Sequence, residues 1–284
     1  MTGPDPLVLP SSVDAALPGV LLEVAHEVAA AAGELVRTKR AGHVEVAATK
    51  SSDVDVVTEA DRATEELLRT LLRARRPDDA IMGEEGDDEA GTSGVRWVLD
   101  PIDGTVNFLY DLGQYAVSVA AEVETPEGWL TVAGVVLDVA KDVEHAALLT
   151  SDGPRGTSDG RPVGVRAAVP LGQVLLATGF SYDRDLRRLQ AEAMVKLLPQ
   201  VRDIRRMGSC ALDLCAVATG RVDAYVEEAV NHWDYAAALL VARAAGARAE
   251  QLTGVGGRTL VLCAPEATFD TLRAAIDEAG LTRV

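Results

Sequence analysis

The apolar run Trp97-Val98-Leu99 leads directly into Asp100-Pro101-Ile102-Asp103-Gly104-Thr105. Leu99 closes a strand-like segment, so Asp100 is expected at the carboxyl end of a buried strand. A carboxylate there is costly to bury unless a cation meets it. Pro101 lacks an N–H and is expected to block continuation of the strand ladder. Asp103 can then swing to the side of Asp100 while the Ile102 carbonyl faces the same space. A turn at Gly104 and Thr105 would present unpaired N–H groups, which suit phosphate oxygens. An isolated Asp-Gly pair is usually a plain turn. Behind a buried strand, this group of carboxylates, carbonyl, hydroxyl and anion seat points to function.

The flanking pattern is that of a mixed α/β chain. Leu21, Val24, Val28, Ala32, Leu35 and Val36 recur at helical spacing, predicting a helix over about 20–40 closed by Gly42. A second helix is expected after Thr58, with Leu67, Leu68, Leu71 and Leu72 on one face. Thr58-Glu59-Ala60-Asp61 has the spacing of a capping box. Strands are predicted over 95–99, 115–123, 129–138 and 143–149, with Thr125–Gly128 as a hairpin. The glycine- and proline-rich stretch Ser151–Pro162 reads as a divider. Beyond it, helices over 186–198, 211–219, 234–245 and 268–279 alternate with strands over 222–226 and 259–263.

Charge and composition narrow the function classes. With 27 basic and 44 acidic residues in 284, the net charge is −17, which repels nucleic-acid phosphates. A hydrophobic content of 48% is too high for a disordered chain. No apolar stretch is long enough to span a bilayer, and Met1–Pro18 lacks the basic start of a signal peptide. Cys210, Cys215 and Cys263 have no C-x-x-C spacing and read as reduced core thiols of a cytoplasmic protein. His26, His43 and His145 have no acidic or cysteine constellation beside them in the sequence, and His232 reads as structural or exposed.

Two further segments place acids where a soluble fold has no need of them. Met82-Gly83-Glu84-Glu85-Gly86 is expected just after a helix, and His232-Trp233-Asp234 opens an alanine-rich helix. Taken singly, Glu84 and Glu85 read as an exposed acidic loop, as Asp87, Asp88 and Glu89 do. Asp234 alone reads as a helix cap. Converging in one pocket, these carboxylates would repel one another unless divalent cations neutralised them. Oxygen-only ligands favour Mg²⁺ or Mn²⁺ over zinc. Two such ions about 3.5–4 Å apart can clamp an in-line phosphoryl displacement, so the pattern predicts a metal-dependent phosphatase.

These residues resemble the inositol monophosphatase family of Mg²⁺-dependent, lithium-sensitive phosphatases, in particular its bacterial extragenic-suppressor type. The resemblance is carried by G-E-E at 83–85, W-V-L-D-P-I-D-G-T-V-N-F at 97–108 and W-D-Y-A-A at 233–237. Weaker echoes at Lys50-Ser51-Ser52, Val57–Asp61 and Gly208-Ser209-Cys210 run in the family's order. It implies a layered α-β-α-β-α sandwich of the sugar phosphatase type, usually a homodimer. The implied organisation is a flexible segment over 1–18 and one domain over 19–284. Its first half, about 19–150, would carry an antiparallel sheet and the metal site; its second half, about 163–284, would be α/β.

The resemblance assigns one metal to Glu84, Asp100 and the Ile102 carbonyl, and a second to Asp100, Asp103 and Asp234. A third, weaker Mg²⁺ would be held by Glu84 largely through water, with Lys50 on a loop nearby. Asp61 and Thr105 would orient the attacking water, Glu84 would assist through the metal, and the N–H groups of Gly104 and Thr105 would hold phosphate. Asp61 has a plainer reading as the capping-box acid. Asp103, Cys210, Glu227 and Asp234 would face the hydroxyls of a small phosphorylated polyol. Cys210 stands where many members have alanine, which bears on substrate preference. Inositol monophosphate ranks first as substrate, histidinol phosphate second, and adenosine or fructose bisphosphates below. The alternative of another class is an interaction protein serving regulation, for example beside the transcription machinery.

Overall fold

A computed structural model describes residues 7–42, 46–49 and 56–283. His43 and the Lys50-Ser51-Ser52 echo lie outside the described residues. In chain order the elements are α1 (Leu17–Ala41), β1 (Val46–Thr49), β2 (Val56–Thr58), α2 (Glu59–Arg75), β3 (Ala80–Gly83), β4 (Val95–Asp103) and α3 (Thr105–Leu109). Four strands follow, β5 (Ala116–Thr125), β6 (Gly128–Asp138), β7 (Val143–Thr150) and β8 (Gly153–Ser158), then the short β9 (Arg161–Pro162). The remainder is β10 (Leu175–Thr178), α4 (Arg184–Leu197), β11 (Asp203–Arg205), α5 (Cys210–Ala218), β12 (Ala224–Glu228), α6 (His232–Ala244), β13 (Ala247–Thr253), β14 (Thr259–Pro265) and α7 (Glu266–Ala279).

Strands β3 to β9 form a seven-stranded sheet in sequence order, antiparallel except for the parallel β3–β4 pair. A five-stranded sheet runs β11-β10-β12-β14-β13. Helices α1 and α2 cover one face of the large sheet, α5 and α6 lie between the sheets, and α4 and α7 cover the far side. This is the α-β-α-β-α layering expected.

Two glycines set how closely the layers meet. A Cβ on Gly33 of α1 would come within 2.4 Å of Leu137, and one on Gly134 of β6 within 2.9 Å of the Ala237 backbone in α6. Residues 134 and 137 differ in parity, so they face opposite sides of β6, as strand alternation requires. The main apolar core includes Leu21 of α1 and Val261 of β14, so it crosses both halves of the chain.

Several expectations need correction. Pro101 does not end the strand. The β4–β5 ladder pairs Asp100 with Ser118, then skips to Asp103 with Ala116, absorbing the missing N–H in an irregularity. Ser151–Pro162 is itself structured, holding β8 and β9, the last strands of the large sheet, and the strands of the second sheet begin only beyond it. Within 7–18, Leu9 is buried and its N–H donates to the Thr150 carbonyl, so this part of the 1–18 segment is tied down. Glu84 follows a short strand, β3, rather than a helix.

Candidate active site

The parallel pairing of β3 with β4 sets Gly83 opposite Leu99, so the chain ends carrying Glu84 and Asp100 emerge side by side. Glu84 is held there by a residue that sequence reasoning missed. Glu65 of α2 is buried and accepts the N–H groups of Glu85 and Gly86, both at 2.8 Å. Arg69 completes Glu65 at 2.9 Å and reaches Glu89 at 2.7 Å. Glu89, which also pairs with Arg73, is therefore not part of a solvated acidic run. The signal for Glu65 and Arg69 was their i,i+4 spacing on a helix, which is common on solvated faces and thus uninformative.

Asp100 is 1% exposed, and its Oδ1 accepts the Ile102 N–H at 3.1 Å. Asp103 turns toward the start of α5, accepting from Ser209 Oγ at 2.5 Å, Ala211 N at 2.6 Å and Cys210 N at 3.3 Å. Gly104 has φ +98°, and a Cβ on it would meet the Gln114 carbonyl at 2.8 Å, so both backbone and space demand glycine. The Thr105 hydroxyl lies 3.0 Å from Asp61 Oδ1 and 3.1 Å from the Ile102 carbonyl, and its single proton serves one at a time.

Asp61 closes the expected capping box and also meets Thr105. One oxygen closes the α2 capping box on Thr58 N at 2.8 Å, and the other faces Thr105. Asp234 occupies the third position of α6 and accepts the Asn231 N–H at 2.6 Å, again as a capping box. One end of a cavity of about 320 Å³ is thus lined by Glu84, Asp100, Ile102, Asp103, Gly104, Thr105 and Asp234.

The electrostatics at this end are one-sided. Burial, then Glu84, Asp103 and Asp234, push the Asp100 carboxyl well above its ordinary range. Burial, Glu84 and Asp103 do the same to Asp234. Burial takes Asp103 to about 6, against the pull of its Ser209, Ala211 and Cys210 hydrogen bonds and of Arg206. Asp61 is raised by burial, with Thr58 opposing. Among the described residues, no three acidic, histidine or cysteine side chains already form a metal-binding group. Asp100, Asp103 and Asp234 are each turned to backbone donors. The donor set nevertheless fits a hard cation: buried acids whose charges oppose one another, with oxygen the only ligand type.

At the other end lie Phe180, Ser181, Tyr182, Cys210 and Glu227, where the substrate rim was expected. Asp183, next after Tyr182, is not in the lining and caps α4 instead. Burial raises Glu227 to about 7, with Arg206 and the Tyr225 hydroxyl opposing. A Cβ on Gly179 would fall within 2.0 Å of Glu227 Oε1, so glycine there makes room for this carboxylate. Three charged lining residues were not anticipated: Arg206, Glu228 and Arg258. Arg206 precedes the Gly208-Ser209-Cys210 echo closely enough to have been found; Arg258 carries no local signal.

The described histidines, His26, His145 and His232, are not in the cavity lining. His26 pairs with Glu144 at 2.9 Å, contrary to its expected isolation, because α1 crosses β7 there. His145 is buried and pushed down by burial to about 4. His232 is structural, meeting Glu122 at 2.7 Å. The three cysteines are free and buried, as expected. No helix among the described residues is long and apolar enough to cross a membrane.

Comparison with known proteins gives the same picture from outside. Residues 19–279 match the Inositol monophosphatase family. A Mycobacterium tuberculosis protein described as inositol-1-monophosphatase SuhB is 45% identical over 281 residues, covering 90% of this chain and 93% of that protein. A Pasteurella multocida protein described as Nus factor SuhB is 37% identical over 228 residues, covering 80% of this chain and 83% of that protein. The solved structure of Mycobacterium tuberculosis SuhB superposes with a TM-score of 0.78 at 41% identity, covering 94% of this chain and 99% of that one.

Proposed function

The chain belongs to the inositol monophosphatase family, and from that premise we propose that it is a Mg²⁺-dependent phosphomonoesterase releasing phosphate from inositol monophosphate. The observation that carries the reading is Asp100, buried among Glu84, Asp103 and Asp234 and flanked by the Asp61–Thr105 pair. Glu84, Asp100 and the Ile102 carbonyl would hold one ion, and Asp100, Asp103 and Asp234 a second, with Glu84 serving a weaker third through water. Mn²⁺ would substitute. When bound, Mg²⁺ supplies the charge that neutralises these acids and polarises water and phosphoryl oxygen.

The chain's own groups do the positioning. The N–H groups of Gly104 and Thr105 offer donors to the phosphate at the start of a helical turn. Asp61 takes the Thr105 hydroxyl proton in a hydrogen bond, which leaves the hydroxyl oxygen free to accept from the attacking water. The water oxygen bonds to phosphorus as the ester bond to the polyol oxygen breaks. The water's proton passes to the Thr105 hydroxyl as that hydroxyl gives its own to Asp61, the departing oxygen takes one from solvent, and no phosphoenzyme forms. Positioning and charge stabilisation suffice for such a transfer.

Cys210 and Glu227, together with Asp103, would face the polyol. A carboxylate at 227 suits hydroxyls or a cationic amine better than a second phosphate, which places histidinol phosphate second. A cytoplasmic homodimer and lithium inhibition belong to the same reading. The relatives described as Nus factors favour one other role, as a partner in transcription. Phosphate release from inositol monophosphate, histidinol phosphate, fructose bisphosphate and an adenosine bisphosphate, with and without Mg²⁺, tests the proposal. Mg²⁺-dependent release highest on inositol monophosphate supports it; no release from any monoester overturns it in favour of the partner role.

A further inference from the structure

The first turn of α6 is pinned to the large sheet by two side chains of one strand. Ser118 and Glu122 stand four residues apart on β5 and share the face toward α6. Ser118 lies opposite Asp100 in the ladder, and its hydroxyl donates to the Trp233 carbonyl at 3.4 Å. Glu122 lies opposite Arg96 and is 1% exposed. Its Oε1 meets His232 Nε2 at 2.7 Å and accepts from Thr131 Oγ1 at 3.1 Å, while Oε2 accepts from Arg96 Nε at 2.9 Å. The Arg96 guanidinium is itself seated over the Trp129 ring, 4.4 Å from its centroid.

Both oxygens of Glu122 are thus engaged, Oε1 by His232 and Thr131 and Oε2 by the Arg96 guanidinium. His232 is the first residue of α6, and Asp234 follows two positions later in the same turn. Asp234 is tied by its capping bond to the Asn231 N–H, so its carboxylate moves with that turn. Neither His232 nor Glu122 lines the cavity, so any effect they have on it is transmitted through the helix start.

We propose that the Glu122–His232 pair is a positioning clamp that sets Asp234 against Asp100 for Mg²⁺ binding. The clamp rests on the metal reading given above. Outer partners of this kind order the ligand before the ion arrives, so their loss weakens metal affinity more than the chemistry on the loaded enzyme.

Calorimetric titration of Mg²⁺ into the substrate-free protein, beside phosphate release at saturating Mg²⁺, tests it. His232→Ala is expected to weaken Mg²⁺ binding roughly 10-fold while kcat at saturating Mg²⁺ stays within about twofold. His232→Gln, which retains an N–H donor, recovers part of the lost affinity. Glu122→Gln weakens Mg²⁺ comparably, and the double variant adds little because the two residues act as one unit. Unchanged Mg²⁺ affinity in His232→Ala overturns the clamp, as do losses that simply add in the double variant. Since His232 is partly exposed, its variants test the clamp even where Glu122→Gln fails to fold. Wild-type protein that binds no Mg²⁺ overturns the metal reading itself, a result distinct from variant and wild type binding equally well.

Discussion

The two ends of the cavity differ in how their charge is composed. Around Asp100, burial and the neighbouring acids raise Asp100 and Asp234, and Arg206 relieves only Asp103 among them. Around Glu227, a buried carboxylate is offset by Arg206 and by the Tyr225 hydroxyl, and settles at about 7. The first end demands an external dication before all its groups can ionise together. The second is closer to balance, which suits the binding role proposed for it.

The largest expected effect breaks the first end. Asp100→Asn removes the carboxylate shared by both proposed ions, and kcat should fall at least about 100-fold. Phosphate release at saturating Mg²⁺ measures this, and retention of activity within tenfold would remove Asp100 from the centre of the scheme. Asp61→Asn is next, at roughly 100-fold or less in kcat with little change in KM. Because Asp61 also closes the α2 capping box, the same variant should lose about 1 kcal/mol in urea unfolding. Loss of stability without loss of activity would leave only the cap.

Glu227→Gln sharpens the contrast. It should raise KM for inositol monophosphate about 10-fold while kcat changes less, since it removes binding rather than chemistry. The pH dependence has a definite sign. Glu227 is raised in the folded state from 4.5 to about 7, so it favours folding below about 4.5 and that contribution is lost as pH rises through about 7. Thermal melts of Mg²⁺-free protein should therefore fall less steeply over this window in Glu227→Gln than in wild type. Equal slopes would show that Glu227 titrates normally. The smallest effect is Cys210→Ala: kcat unchanged and KM shifted by about twofold, because a thiol is a weak hydrogen-bond partner. A large change in substrate ranking would make Cys210 a selector.

Much of the reacting end was legible because its groups are local in sequence. Asp100, Ile102, Asp103, Gly104 and Thr105 are carried by one strand end and the turn after it, Asp61 announces a capping box, and Asp234 opens a helix. Glu65, Arg258 and the Glu122–His232 pair were not legible. Each depends on a partner far along the chain, such as the 110 residues separating Glu122 from His232. The bulge at Pro101 was missed for a related reason. A missing N–H shows that a bond is lost, but only the neighbouring strand shows whether pairing resumes.

By itself, the amino-acid order determined which side chains could carry the chemistry and which elements would present them, since capping, alternation and strand termination act over a few residues. Only the tertiary structure decided what those side chains face. The parallel β3–β4 pairing sets Glu84 beside Asp100, Ser118 and Glu122 hold the start of α6 over the sheet, and Asp103 turns to the amides of α5. Such placements follow from long-range packing, in which a carboxylate's partner is chosen by the whole fold.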